Sequence, residues 1–330
     1  MNNISLSRLA LGLAAGALLL AGCSKSEDAA SSSSSTGAKR VITVGFAQTG
    51  AESGWRTANT ESLKSEAAKR GITLKISFAD NDLEKEIAAV RNFITQHVDA
   101  IVIAPTEEKG WDQVLKEAKD AKIPVVIEDR TMSADKSLYA GFIGSDFDKE
   151  GHMAADWLIT ATGGKGRILE ISGKPGSSAA EERKKSFADG ISKAPGLSII
   201  DSQTGNFKRD EGKQVMEALL KKHPAGSFDI LYAHNDDMAL GAIQAIVDAG
   251  LKPGKDVMVI SIDGEKEAIQ AVADGKINCV IECNPMVGPL VFDAVEKVLA
   301  GGTIAPVTYN TDHRFDKTNA ADVLKAPRAY

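Results

Sequence analysis

Cysteine is scarce in this chain, with three residues in 330, at positions 23, 279 and 283. Cys279 and Cys283 share one apolar run, I-N-C-V-I-E-C. Extended residues four apart stand roughly 13 Å from each other, whereas a disulfide needs α-carbons within about 7 Å. A bridge there would demand a sharp bend, so the two read as separate buried thiols. The five histidines, at 97, 152, 223, 234 and 313, show no ligand spacing, and no metal site is expected. Positive charge is not in excess: 39 Lys and Arg stand against 45 Asp and Glu. A nucleic-acid partner usually requires a basic face, so that class is disfavoured. Phosphate-cradling loops are missing as well. G-G-K-G-R near residue 163 lacks the Walker spacing, S-G-K-P has Pro where Ser or Thr should follow Lys, and no G-x-G-x-x-G opens the first helix. There is no G-x-S-x-G elbow and no assignable nucleophile, base and acid. These absences argue against an enzyme and against a cofactor.

Long apolar runs are limited to one, residues 9–21, preceded by Arg8 and ending in L-A-G-C. It is short for a membrane span. It resembles the bacterial lipoprotein signal, which implies that residues 1–22 are cleaved and that Cys23 is lipidated and holds the chain at a membrane outside the cytoplasm. An ordinary secretory signal or a signal anchor is the competing reading. Residues 23–39, rich in Ser, read as a solvated tether.

From Arg40 onward the composition is that of a globular chain, with 43% hydrophobic and 25% charged residues overall. Short β-rich runs alternate with amphipathic ones. V-I-T-V-G-F-A, I-T-L-K-I-S-F, A-I-V-I-A and I-P-V-V-I-E predict strands separated by helices. After a less regular stretch at 131–145 the same grammar resumes, through R-I-L-E-I-S, L-S-I-I-D-S, F-D-I-L-Y-A, V-M-V-I-S-I-D and I-N-C-V-I-E-C. Such alternation predicts parallel sheets covered on both faces by helices. Two groups of strand–helix pairs, on either side of about residue 145, suit two α/β lobes better than one sheet.

Polar residues gather where strands turn into helices, the place where open α/β sheets bind small molecules. Glu52, Ser53, Trp55 and Arg56 follow the first strand, Asp129 and Arg130 the fourth, Asn235 and Asp236 the strand F-D-I-L-Y-A, and Asp263 the strand S-I-D. Carboxylates, amides and guanidinium forks beside an aromatic ring suit a polyhydroxyl ligand with an apolar C–H face. Each also has a plainer reading. Trp55 can anchor its helix, Asp129 and Arg130 can form a salt bridge, Asn235 or Asp236 can be an N-cap, and Asp263 can be a turn residue before Gly264. Arg183 sits in a charge run that a solvated helix face would explain, and Phe207 is a second aromatic wall or a loop anchor.

The words G-A-E-S-G-W-R, G-W-D-Q-V-L-K-E-A-K-D-A, E-D-R, Y-A-H-N-D-D-M-A-L-G-A-I-Q-A-I, S-I-D-G and E-C-N-P-M-V-G-P occur in this order. Together they resemble the periplasmic sugar-binding proteins of the ribose, galactose and arabinose group. Within it they are most similar to galactofuranose-binding members serving bacterial ABC importers. The resemblance implies two Rossmann-like lobes joined by three hinge crossings, near 144–146, 281–283 and 306–311. The lobes would comprise 40–144 with 284–306, and 145–282 with 310–330. It implies a monosaccharide held by Glu52, Ser53, Gly54, Trp55, Arg56, Asp129, Arg130, Arg183, Asn235 and Asp263, with Asp146, Phe207 and Glu282 as further candidates. It also implies a monomer whose closed form docks on a membrane permease, with no nucleic acid, metal or cofactor. A binding protein feeding a chemoreceptor or sensor kinase, an extracytoplasmic sugar-modifying enzyme and a repressor core are the alternatives. The last would need a DNA-binding segment where the sequence has a leader and a serine tether.

If Cys23 carries an acyl chain, Cys23→Ala releases the protein into the soluble fraction of its native host. Continued membrane association of that variant would identify a signal anchor instead.

Overall fold

The computed structural model describes residues 40–328 and 330. The leader, the tether and Cys23 lie outside the described residues. The chain opens with β1 (Thr43–Gln48), α1 (Gly54–Arg70), β2 (Thr73–Phe78), α2 (Leu83–Thr95) and β3 (Ala100–Ala104). It continues through α3 (Asp112–Asp120), β4 (Val125–Glu128) and β5 (Phe142–Gly144). The second group comprises α4 (Phe147–Thr162), β6 (Lys165–Ser172), α5 (Ser178–Ile191), β7 (Gly196–Thr204) and α6 (Arg209–Lys222). Next come β8 (Ile230–Ala233), α7 (Asp236–Asp248), β9 (Met258–Asp263), α8 (Lys266–Ala273) and β10 (Cys279–Glu282). The chain then returns through α9 (Gly288–Leu299), β11 (Val307–Tyr309), β12 (Arg314–Asp316) and α10 (Ala320–Val323).

These strands form two six-stranded sheets, ordered β2-β1-β3-β4-β5-β11 and β7-β6-β8-β9-β10-β12. The first five strands of each group thus repeat one doubly wound order, 2-1-3-4-5. Every pairing is parallel except that of β12, which runs antiparallel to β10 at the edge of the second sheet. The three-residue strands β5, β11 and β12 were not legible as strands. They are too short to show a period, and they form only because a neighbour offers a ladder. The chain passes from the first sheet to the second after Gly144, back after Glu282, and across again after Tyr309.

Continuous apolar runs explain why the central strands are covered on both faces. Val44 and Phe46 pack with Val102, Val291 and Phe292 on one side of the first sheet. Ala47, Ile101 and Ile103 pack with Phe93, Trp111 and Leu115 on the other. The second sheet is buried around Ile168, Ile171, Tyr232, Ile260 and Val280. Cys279 and Cys283 are both buried and unbonded. Helices α4 and α5 cross closely because each offers a glycine to the other. A β-carbon on Gly151 would stand 2.0 Å from Ser186 Oγ, and one on Gly190 would stand 2.4 Å from Ala155 Cβ. Helices α6 and α7 repeat the device with Gly212 against the Met238 backbone and Gly241 against the Arg209 carbonyl. These crossings fix α5, which carries Arg183, and the start of α7, which follows Asn235.

Gly241→Ala places a methyl 2.0 Å from the Arg209 carbonyl oxygen, where backbone cannot yield as a side chain would. The expected cost is about 1–3 kcal/mol of overpacking, read from the urea unfolding midpoint. An unchanged midpoint would show that the crossing is looser than described.

Candidate functional site

The carboxyl ends of both sheets face a shared cleft. A small cavity in it is lined by Glu52, Ser53, Trp55, Arg56, Asp129, Arg130, Ala179, Arg183, Phe207, Asn235, Asp263 and Cys283. The wall follows β1 and β4 on one side and β6 through β10 on the other, so neither lobe holds a complete site.

From the first lobe, Ser53 is the N-cap of α1, its Oγ accepting from Arg56 N. That directs Trp55 and Arg56 into the cleft. The Trp55 indole crosses to the second lobe's core and donates from Nε1 to the Cys283 carbonyl at 2.6 Å. The Arg56 guanidinium lies over the Trp55 ring at 4.7 Å and stands 2.6 Å from Asp129 Oδ2. That contact is short but misaligned, leaving Arg56 Nη1 and Asp129 Oδ2 without a well-formed hydrogen bond. Arg130 lies 5.1 Å over the Phe207 ring, 3.6 Å from Glu52 Oε1 and 3.7 Å from Asp129 Oδ2. Its Nε and the Glu52 Oε2 are buried with no hydrogen-bond partner in the protein. Burial alone would raise the Glu52 carboxyl, but Arg56 and Arg130 outweigh it and hold the group below its ordinary value.

From the second lobe, Arg183 is clamped on three sides. Its Nε donates to Glu150 Oε2 at 2.7 Å, its Nη1 to the His234 carbonyl at 2.8 Å, and its plane covers the Phe147 ring at 5.0 Å. The remaining Nη2 stands 3.7 Å from Asp263 Oδ1, too far for a hydrogen bond. Burial therefore pushes the Asp263 carboxyl well above the carboxylate range in spite of Arg183. Asn235 caps α7, its Oδ1 accepting from Met238 N, and its Nδ2 donates to the Phe207 carbonyl. The capping role and a place on the cavity wall hold together in this residue. Asp236 instead ties the next turn, accepting from Gly264 N and Glu265 N at 2.7 Å each.

Three wall residues hold positive φ: Asp129 at 60°, Phe207 at 63° and Asp263 at 135°. Such backbone costs of order 1–3 kcal/mol per residue and clusters at binding sites. Gly173 makes room for the Phe207 ring, since a β-carbon there would lie 2.0 Å from it.

Three of the expected positions are not on the wall. Gly54 faces Glu265. Asp146 caps α4, accepting from Lys149 N. Glu282 turns to the carboxyl-terminal segment, where its Oε1 accepts from Arg328 Nη2 at 2.6 Å and from the Tyr330 hydroxyl at 2.7 Å. Its Oε2 meets His313 Nδ1 at 2.6 Å. Conversely, Ala179 and Cys283 line the cavity without having been expected there. Neither side chain carries a polar signal that sequence could expose. Trp111 is fully buried in the first lobe, and half-buried Trp157 donates to Asp316.

Residues 44–303 match the periplasmic binding protein domain. The chain belongs to the periplasmic binding protein family. Members of this family bind substrates and are not enzymes. The galactofuranose-binding protein YtfQ of Escherichia coli K12 is 51% identical over 267 residues, covering 80% of this chain and 84% of that one. Among solved structures of the family, the binding protein of the arabinose ABC transporter from Shewanella sp. ANA-3, bound to α- and β-L-arabinofuranose, is 46% identical with a TM-score of 0.84. It covers 86% of this chain and 95% of that one. A Mycobacterium smegmatis protein in complex with β-D-fucofuranose is 46% identical with a TM-score of 0.83, covering 86% and 94%.

Asp263→Gly removes both the φ of 135° and a buried carboxyl. It is expected to raise the stability of the sugar-free protein by about 1 kcal/mol net, after glycine's own entropic cost. A lowered melting temperature would mean that the Asp263–Arg183 attraction outweighs the strain.

Proposed function

We propose that this protein is the solute-binding component of a sugar ABC importer, capturing one neutral monosaccharide in furanose form between its two lobes. The observation that carries this reading is the set of buried polar atoms on the cavity wall, Glu52 Oε2 and Arg130 Nε above all, that have no hydrogen-bond partner in the protein. Leaving such groups unpaired costs about 1–3 kcal/mol each, more when charged. A polyol supplies both donors and acceptors, and the Trp55 and Phe207 rings offer apolar contact to its C–H groups.

Charge narrows the class. The wall holds three arginines, Arg56, Arg130 and Arg183, against three carboxylic residues, Glu52, Asp129 and Asp263. A sugar acid or sugar phosphate would meet guanidinium groups already beside carboxylates, so a neutral ligand is favoured. The relatives named above that bind galactofuranose, arabinofuranose and fucofuranose share the five-membered ring, which supports the furanose form.

In this reading the ligand residues are Glu52, Ser53, Trp55, Arg56, Asp129, Arg130, Phe207, Arg183, Asn235 and Asp263. The three chain crossings act as the hinge, and sugar shifts the lobes toward closure because it touches both only when they are closed. A periplasmic site held to a membrane through Cys23, and delivery to a permease, complete the proposal.

The test is a thermal-shift and calorimetric panel of neutral pentoses and hexoses, including furanose-locked glycosides, on the chain from Ala38. A ligand that binds only the folded state raises the melting temperature by mass action. Arg130→Ala and Asp263→Ala are each expected to abolish binding with the fold intact. Unchanged affinity in both would sink the cleft assignment. A protein refolded from denaturant that responds to none of the sugars would sink the ligand class.

A further inference from the structure

Helix α1 has no acidic residue in its own first turn, although a helix N-terminus carries unpaired N–H groups and partial positive charge. The second lobe supplies what the first lacks. Gly54 N donates to Asp237 Oδ2 at 2.8 Å, and Trp55 N donates to Glu265 Oε1 at 2.7 Å. Only Arg56 N is served locally, by the Ser53 hydroxyl. Neither Asp237 nor Glu265 lines the sugar cavity. Asp237 is aimed by Arg209, whose Nε donates to its Oδ1 at 2.7 Å while its other nitrogens hold Glu267. Glu265 is placed by the Asp236 turn described above. The fit is close on the other side too. A β-carbon on Gly54 would stand 2.8 Å from Glu265 Oε2 and 3.1 Å from Oε1, although the Gly54 backbone itself is not in the left-handed region that glycine favours.

We propose that Asp237 and Glu265 form a latch on the amino terminus of α1 that holds the lobes closed and so sets the residence time of the sugar without touching it. The inference rests on the reading of the cleft as a sugar site closed by the two lobes. Both hydrogen bonds join residues from different lobes, so they form on closure and are lost on opening. Gly54 belongs to this latch rather than to the sugar wall, because any side chain there would push against the Glu265 carboxylate. Burial, with Asp237 and Asp236 adding to it, pushes the Glu265 carboxyl up to about 8. Its carbonyl oxygen accepts the Trp55 N–H in either protonation state. The opposite rim is closed separately, by Glu108 N on the Gly176 carbonyl, Thr131 N on Ser178 Oγ, and Lys174 on Glu107. Loss of the latch therefore weakens closure without abolishing it.

The experiment measures dissociation rate and affinity for D-galactose and L-arabinose in the wild type and in Glu265→Ala, Glu265→Gln and Gly54→Ala. Glu265→Ala is expected to speed dissociation by about fivefold, the value of one hydrogen bond to a neutral acceptor. Gly54→Ala, from the other lobe, gives the same direction, and Glu265→Gln, which keeps an acceptor, stays within about threefold of the wild type. The ratio of affinities for the two sugars and the melting temperature of the sugar-free protein stay unchanged, which damage to the fold or to the sugar wall would not leave. Dissociation at the wild-type rate in both Glu265→Ala and Gly54→Ala overturns the latch, as does a changed sugar preference. If the wild type binds neither these two sugars nor any other of the neutral panel above, the sugar reading fails by itself. The latch is then judged on interlobe distances between spin labels at positions 116 and 185, where identical distributions in wild type and Glu265→Ala overturn it.

Discussion

The structure turns on charged groups taken out of water at a place where the protein alone cannot satisfy them. Arg56, Arg130 and Arg183 are each about 2–3% exposed, and their carboxylate neighbours stand at distances or angles that leave part of each group unpaired. Removing a charge from water is costly unless it is paired and hydrogen-bonded. Aromatic faces under each guanidinium recover some of that cost, with Trp55, Phe207 and Phe147 each serving one arginine. What the rings and carboxylates leave over is free energy available to a ligand presenting hydroxyls.

The rest of the architecture serves that arrangement. Two sheets of the same strand order turn their carboxyl ends toward each other, so the polar turns of both lobes meet. Apolar runs bury the sheets on both faces and leave those ends as the place where polar chemistry can gather. Reciprocal glycines bring α4 to α5 and α6 to α7 at backbone contact, which fixes the helix that carries Arg183 and the helix that Asn235 caps. The same turns that present Asn235 and Asp263 to the cavity present Asp237 and Glu265 to α1. Capture and closure are thus built from adjacent residues on two loops, and a shift in either loop would alter both.

Most of the fold was legible in the sequence because its strands and helices are long and regularly patterned. V-I-S-I-D and D-D-M-A-L-G-A-I-Q-A-I announce a buried strand and a helix from local composition alone, and the structure places both within a residue or two of the reading. The site was legible to the extent that its residues end strands. Asp129, Arg130, Asn235 and Asp263 could be singled out on that ground. Arg183 could not, because its neighbours in sequence are solvated and only its contacts with Glu150 and the His234 carbonyl distinguish it. Glu282 shows the opposite failure. A polar residue at a strand end near a crossing suited a place on the wall, but Arg328, Tyr330 and His313 draw it away, and all three lie at least 30 residues distant in sequence.

Hydrophobic period, turn residues and capping signals are local, and the sequence by itself determined what depends on them: two groups of parallel α/β units with polar strand ends. Only the tertiary structure decided which of those ends share a cavity, which arginine is clamped and which is left with a free nitrogen, and that the first helix is capped from the other lobe. Those outcomes depend on distances between residues as far apart as Trp55 and Glu265. Such distances are set by how two independently folded sheets face each other, and no pattern within a single segment encodes them.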